Sequence, residues 1–202
     1  MRLTQHIQLS IHGHKLNLCK LHRTVYNEDM DIKKIIIDTT NTLLKEKSFD
    51  DISVALIAKT AGISRQTFYN HYLDKYDLVN SFYESYIRDH IIINYNGDNY
   101  LETSRQIYAF IYEYRYFFNK AIDFTGQNAF SKHITGFIEE SILMNYRRQF
   151  GDHAVTGKTM FQLHSIAIME VECIRQWLKS GCSIPIDDVT RWTAEITPDM
   201  FK

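Results

Sequence analysis

Apolar residues recur along this chain at intervals of three and four, the spacing that lines one face of an α-helix. Ile32, Ile35, Ile36, Thr39 and Leu43 share such a face over residues 31–47, with Asp31 placed as the N-cap. Phe49 and Ile52, in the link that follows, are positioned to plug a small core. Val54, Ile57, Ala58 and Ala61 form the next stripe. Ser53 stands before it, where a hydroxyl can accept a free first-turn N–H, and Gly62 follows it as a helix stop. Ser64 then caps a second short helix over residues 65–72, with Phe68 and Tyr72 facing inward. Asp74 opens a long helix running to about residue 93, in which Leu78, Val79, Phe82, Tyr86 and Ile87 repeat in register.

The run Asn94-Tyr95-Asn96-Gly97-Asp98-Asn99 is the clearest loop. Beyond it the pattern predicts helices over residues 101–114, around Ala121, over 130–150 and over 158–179. A last helix starts at Asp187 and carries Val189, Trp192 and Ile196. The fold class is therefore all-α. Residues 1–29 read as a mobile N-terminal extension, 30–78 as a helix-turn-helix unit including the start of the connecting helix, and 79–202 as a helical bundle. In the extension, the alternation Leu9/Ile11 and Leu16/Leu18 hints at a short strand.

The outward positions of the second short helix give the chain its chemistry. Arg65, Gln66, Thr67, Tyr69, Asn70 and His71 nearly all carry a hydrogen-bond donor or a cation. Arg, Gln and Asn can bond base edges in pairs, while Thr and Tyr suit phosphates or a thymine methyl. An exposed polar helix held off a small core by a glycine turn is the arrangement that enters a DNA major groove. The alternative is a helical hairpin whose outer face is merely solvated.

The sequence from Ala58 to Leu78 weighs against that alternative. Ala61-Gly62-Ile63-Ser64 is followed by Thr67-Phe68-Tyr69, His71-Tyr72, Lys75 and Leu78. This series resembles, in order, the DNA-binding signature of the tetracycline-repressor (TetR) family. The resemblance covers roughly residues 31–80 and implies a recognition helix at residues 65–72. It implies that Lys75 contacts a phosphate, and Ser53 and Ser64 stand where their hydroxyls can serve both helix ends and DNA. It further implies a palindromic double-stranded operator and a small effector bound inside the second domain; the helix over residues 158–179, apolar nearly all round, predicts a homodimer in which its outer face and the Asp187 helix meet a second copy. Tyr72 stands where the family often has phenylalanine. The run from Tyr112 to Phe118 is similar to the C-terminal domain of a subgroup that includes regulators of dihydroxyacetone-kinase operons, some of which work with a protein coactivator.

Composition adds little electrostatic support. The net charge is −1, and residues 31–90 hold eight Lys/Arg against nine Asp/Glu. DNA affinity must come from local charge such as Lys59, Arg65 and Lys75. Residues 1–29 are locally basic, with Arg2, Lys15, Lys20 and Arg23 ahead of the first acid, Glu28. They read either as an extension or as an arm touching phosphates or a minor groove. His12 and His14 lack a nearby cysteine or carboxylate, so no metal site is expected. Cys19, Cys173 and Cys182 are widely spaced and odd in number, which fits a reducing cytoplasm. No apolar run is long enough to span a membrane, and the N-terminus does not read as a signal peptide.

Enzyme motifs are missing: there is no His-Glu-x-x-His helix, Gly-rich phosphate loop or Gly-x-Ser-x-Gly elbow. No cofactor is expected. In the second domain Phe110, Tyr114, Phe117, Phe118 and Phe137, with His164 as a polar anchor, are candidates to line an effector pocket, although aromatics at helical spacing also make plain core. A cavity, if formed, belongs among helices 101–114, 130–150 and 158–179, with an apolar lining. The expected function is an effector-responsive repressor. An activator working with a protein coregulator, or a helical adaptor without gene control, are the alternatives.

Overall fold

The computed structural model describes residues 10–11, 14–15, 18–91, 100–126 and 129–201, with side chains from Asp31 onward. The proposed mobility of the N-terminal extension, its basic arm, His12 and the 94–99 loop lie outside the described side chains. Within the extension, strand β1 (Ser10–Ile11) pairs antiparallel with β2 (His14–Lys15), Ser10 opposite Lys15. The rest of the regular structure among the described residues is helical.

Helix α1 spans Leu18–Glu46, so it begins 13 residues before the expected start at Asp31. Asp31 is therefore an interior helical residue and not an N-cap. The physical reason lies in residues 18–46: they contain no proline or glycine, so nothing interrupts the i to i−4 ladder. Helix α2 is Val54–Ala61 and α3 is Arg65–Tyr69. Helix α4, Lys75–Tyr86, continues into a π-helical turn at Ile87–Ile91. Then follow α5 (Tyr100–Glu113), α6 (Arg115–Ala121), α7 (Phe130–Phe150), α8 (Gly157–Lys179) and α9 (Ile186–Ile196). The bundle helices match the periodicity to within a residue or two.

The larger of two apolar clusters runs from the N-terminal helices into the bundle. It starts with Ile36 and Leu44 of α1, Ile57 of α2 and Phe68 of α3. Leu78, Val79 and Phe82 of α4 carry it into the bundle, where it reaches Ile174 and Trp177 of α8. Helix α4 is thus half foundation for the small N-terminal helices and half wall of the bundle. Helix α6 packs on α1 from the other side, and α7 packs on both α4 and α8.

Four of the aromatic residues proposed for a pocket, Phe110, Tyr114, Phe117 and Phe118, fill this junction instead. Phe110, Phe117 and Phe118 are at most 2% exposed. Phe82 lies stacked 6.1 Å from Phe118 and edge-on 5.7 Å from Phe117, and Tyr86 stacks on Phe110 at 3.8 Å. Tyr114 closes the cluster 4.8 Å from Phe82. Aromatic pairs in such geometry contribute about 0.5–1.5 kcal/mol each beyond the area they bury.

Candidate nucleic-acid interface and an internal cavity

The helix-turn-helix is built by its caps. Ser53 Oγ accepts the Leu56 N–H at 3.2 Å and starts α2. Gly62 ends it at φ 68°, where a Cβ would be strained, and the Ile63 N–H returns to the Ala58 carbonyl at 3.0 Å. Ser64 Oγ accepts the Thr67 N–H at 2.9 Å and starts α3 two residues after that turn. Helix α3 ends at Tyr69, shorter than the expected residues 65–72, although the Tyr72 N–H still bonds the Phe68 carbonyl at 3.0 Å. The chain must open there because Asp74 is extended and caps α4, accepting the N–H groups of Tyr76 and Asp77, both at 2.8 Å.

Phe68 is fully buried and Tyr72 nearly so, as their inward positions require. Arg65, Gln66, Tyr69 and Asn70 are exposed, with Thr67 and His71 half-buried beside them. Gln66 Nε2 donates to Asn70 Oδ1 at 3.1 Å, which joins the two amides one turn apart. The Arg65 guanidinium lies 6.0 Å from the Tyr69 ring centroid. The Thr67 hydroxyl is taken up locally, 2.8 Å from Ser64 Oγ. The outer face of α3 thus offers amides, a guanidinium and a phenol together, the set that can read base edges and hold phosphates.

Lys75 is already engaged within the fold. Its ammonium donates to the carbonyls of Phe49 at 2.7 Å and Ile52 at 2.9 Å, with Asp50 O at 3.4 Å. It also lies 4.9 Å from the Phe49 ring centroid. Burial lowers its pKa, against the pull of Asp50, Asp51 and Asp74. All three contacts lie in the α1–α2 link, so the group ties α4 to that link. The exposed cations left near α3 are Arg65 and Lys59.

A cavity of about 280 Å³ opens in the bundle, bounded by α4, α5, α7 and α8. Tyr83 and Ile87 bring α4 to its wall, Ile107 comes from α5, and Phe137, Ile138 and Ile142 from α7. The polar groups are few: Tyr100, Thr103 and Ser104 from α5, Ser141, Asn145 and Arg148 from α7, and Glu170 from α8. Of the pocket residues expected from sequence, Phe137 alone lines it. Phe110, Tyr114, Phe117 and Phe118 belong to the aromatic junction. His164 stands exposed on the far side of α8, its Nδ1 3.0 Å from Glu139 Oε2.

Sequence reading missed Tyr100 and Glu170. The Tyr100 hydroxyl lies 3.2 Å from Glu170 Oε1, to which it donates, and 3.4 Å from Thr197 Oγ1. Thr197 gives its own proton to the Thr193 carbonyl at 3.0 Å. Burial pushes the Glu170 carboxyl up to about 7, with the Tyr100 hydrogen bond opposing. A signal was present: Leu163, Ala167, Glu170, Ile174 and Trp177 fall on one stripe of α8, and only Glu170 on it is charged. Among the described residues no group of histidine, cysteine or carboxylate side chains is placed to hold a metal, and no helix is long and apolar enough to cross a membrane.

Comparison with known proteins agrees with this architecture. Residues 36–82 match the family model for bacterial regulatory proteins of the tetR family. No curated protein matches the chain. Among solved structures it is similar to the dihydroxyacetone kinase operon activator DhaS, with a TM-score of 0.61 at 18% identity over 82% of this chain and 93% of that one. It is also similar to a TetR-family regulator from Syntrophomonas wolfei, with a TM-score of 0.58 at 16% identity over 82% and 92%. The fatty acid degradation regulator FadR from Bacillus halodurans gives 0.56 at 14% identity over 81% and 96%. These structures share the fold, and the family model covers α2, α3 and most of α1's second half and α4. Residues 36–82 therefore carry a domain of the tetR-family type, and the described chain shares its fold with regulators of that kind.

Proposed function

We propose that the protein is an effector-responsive repressor that binds a palindromic operator as a homodimer. The observation that carries this reading is the double use of α4. Its first turns support the helix-turn-helix through Leu78 and Val79, and its later turns wall the cavity through Tyr83 and Ile87. A ligand that fits the cavity better at one tilt of α4 favours one spacing of the two α3 helices in a dimer, and only that differential affinity shifts the DNA-binding population. Arg65, Gln66, Tyr69 and Asn70 are assigned to the operator. Lys75 is assigned to holding the domain together.

Uncovered apolar side chains support the dimer. On α8, Phe161 is 74% and Ile168 49% exposed, and on α9, Trp192 is 48% and Ile196 55% exposed. The two helices pack against each other. A second copy related by a two-fold axis covers both stripes at once and gives paired recognition helices.

The cavity favours a small effector over a protein coregulator, for which a fully packed bundle would have been the better fit. Selection of bound fragments from random duplex DNA tests the proposal. An enriched inverted repeat is expected, and fragments without any common sequence would refute it.

A further inference from the structure

The cavity is chemically lopsided. Its wall is mostly aliphatic and aromatic, yet it contains the Glu170 carboxyl. Among the described residues no lysine, arginine or histidine pairs with Glu170. The groups that face it or share its cavity are Tyr83 from α4, Tyr100 and Tyr108 from α5, Arg148 from α7, and Cys173 from its own helix. Burial raises the pKa of all three tyrosines and of the cysteine, so they stay neutral. The Arg148 guanidinium is turned to Asn145 Oδ1 at 2.9 Å.

An unpaired carboxylate in apolar surroundings is costly, and it is relieved either by a proton or by a cation. Aromatic faces add to the attraction for a cation. We propose that the effector is a monovalent organic cation with an apolar body, an alkyl- or arylammonium compound, whose charge sits against Glu170 and whose body lies between Tyr83, Ile107 and Phe137. This rests on the reading of the cavity as the effector site. A volume of about 280 Å³ limits the ligand to a small one. Because the carboxyl titrates near neutrality, cation and proton compete for it, and cation affinity rises as pH passes through about 7.

The test titrates the full chain by calorimetry with three probes. Benzyltrimethylammonium carries a permanent charge, neopentylbenzene is its neutral isostere, and 4-phenylbutyrate is an anion of related size. The cation is expected to bind tightest, and about tenfold more tightly near pH 8 than near pH 6, the change in ionised fraction of a group titrating at about 7. Glu170→Gln should abolish that rise and bring the cation to the isostere's affinity, with the isostere and the helical circular dichroism unchanged. Ser104→Phe, placed to fill the space, should remove both ligands.

If the isostere binds as well as the cation near pH 8, the charge assignment falls while the cavity reading stands. Tightest binding of 4-phenylbutyrate would assign the ligand to Arg148 and overturn the proposal. Binding of none of the three would overturn the proposal and the cavity reading together. The wild-type pH profile decides the matter even if the variant fails to fold.

Discussion

Gln66 and Lys75 both lie within the stretch that resembles the family signature, and we assign them different roles. Gln66 is exposed on α3 and presents a donor and an acceptor, as an adenine edge requires. Gln66→Ala should cost roughly 1–3 kcal/mol at one base position and relax preference there, read by binding to single-base operator variants. Lys75 is committed to three carbonyls of the α1–α2 link. Lys75→Met should therefore lower unfolding stability by about 1–3 kcal/mol in urea titration, the scale for hydrogen bonds to a charged group. Its salt dependence of DNA binding should stay unchanged, whereas Arg65→Ala should flatten that dependence by about one unit of slope. A flattened slope in Lys75→Met would return this lysine to the phosphate. Its pairing was not legible in the sequence, because the carbonyls it binds lie 23 to 26 residues earlier and only the folded link brings them together.

At the scale of elements, local chemistry was legible and tertiary placement was not. Ser53, Gly62, Ser64 and Asp74 cap the helices they stand beside, because capping needs only neighbours within a few residues. Gly62→Ala should cost about 1–2 kcal/mol, since the added Cβ meets open space but the left-handed backbone remains strained. Thermal unfolding of that variant measures the cost, and an unchanged midpoint would mean the turn relaxes. The start of α1 escaped because Asp31 looks like a cap while no breaker stands between it and Leu18. The pocket aromatics escaped for a related reason. Periodicity places Phe110, Phe117 and Phe118 on inward faces, but it does not distinguish a helix face turned to α4 from one turned to a cavity. Glu170 is the converse case, a charge on a buried stripe that marks a site without naming its partners.

For the whole molecule, the Glu170 carboxyl in the cavity wall couples stability to pH. Glu170 has an ordinary value near 4.5 and titrates at about 7 when folded. The neutral form is the one the fold accommodates, so its stabilisation is complete below the unfolded value and is lost as pH rises through about 7. Stability should fall between these values by no more than about 3 kcal/mol, and the slope should vanish in Glu170→Gln. Association is the other molecular property. Phe161→Glu together with Trp192→Glu should give a monomer by sedimentation, because charge replaces apolar area on α8 and α9. The account as a whole requires two copies reading two half-sites through α3. The direct measurement is affinity for a selected palindrome against the same half-sites moved apart by about five base pairs, half a turn of DNA. The account predicts that the shifted duplex binds no better than unrelated DNA, because the second α3 then faces away from its groove. Equal affinity for both duplexes would contradict it.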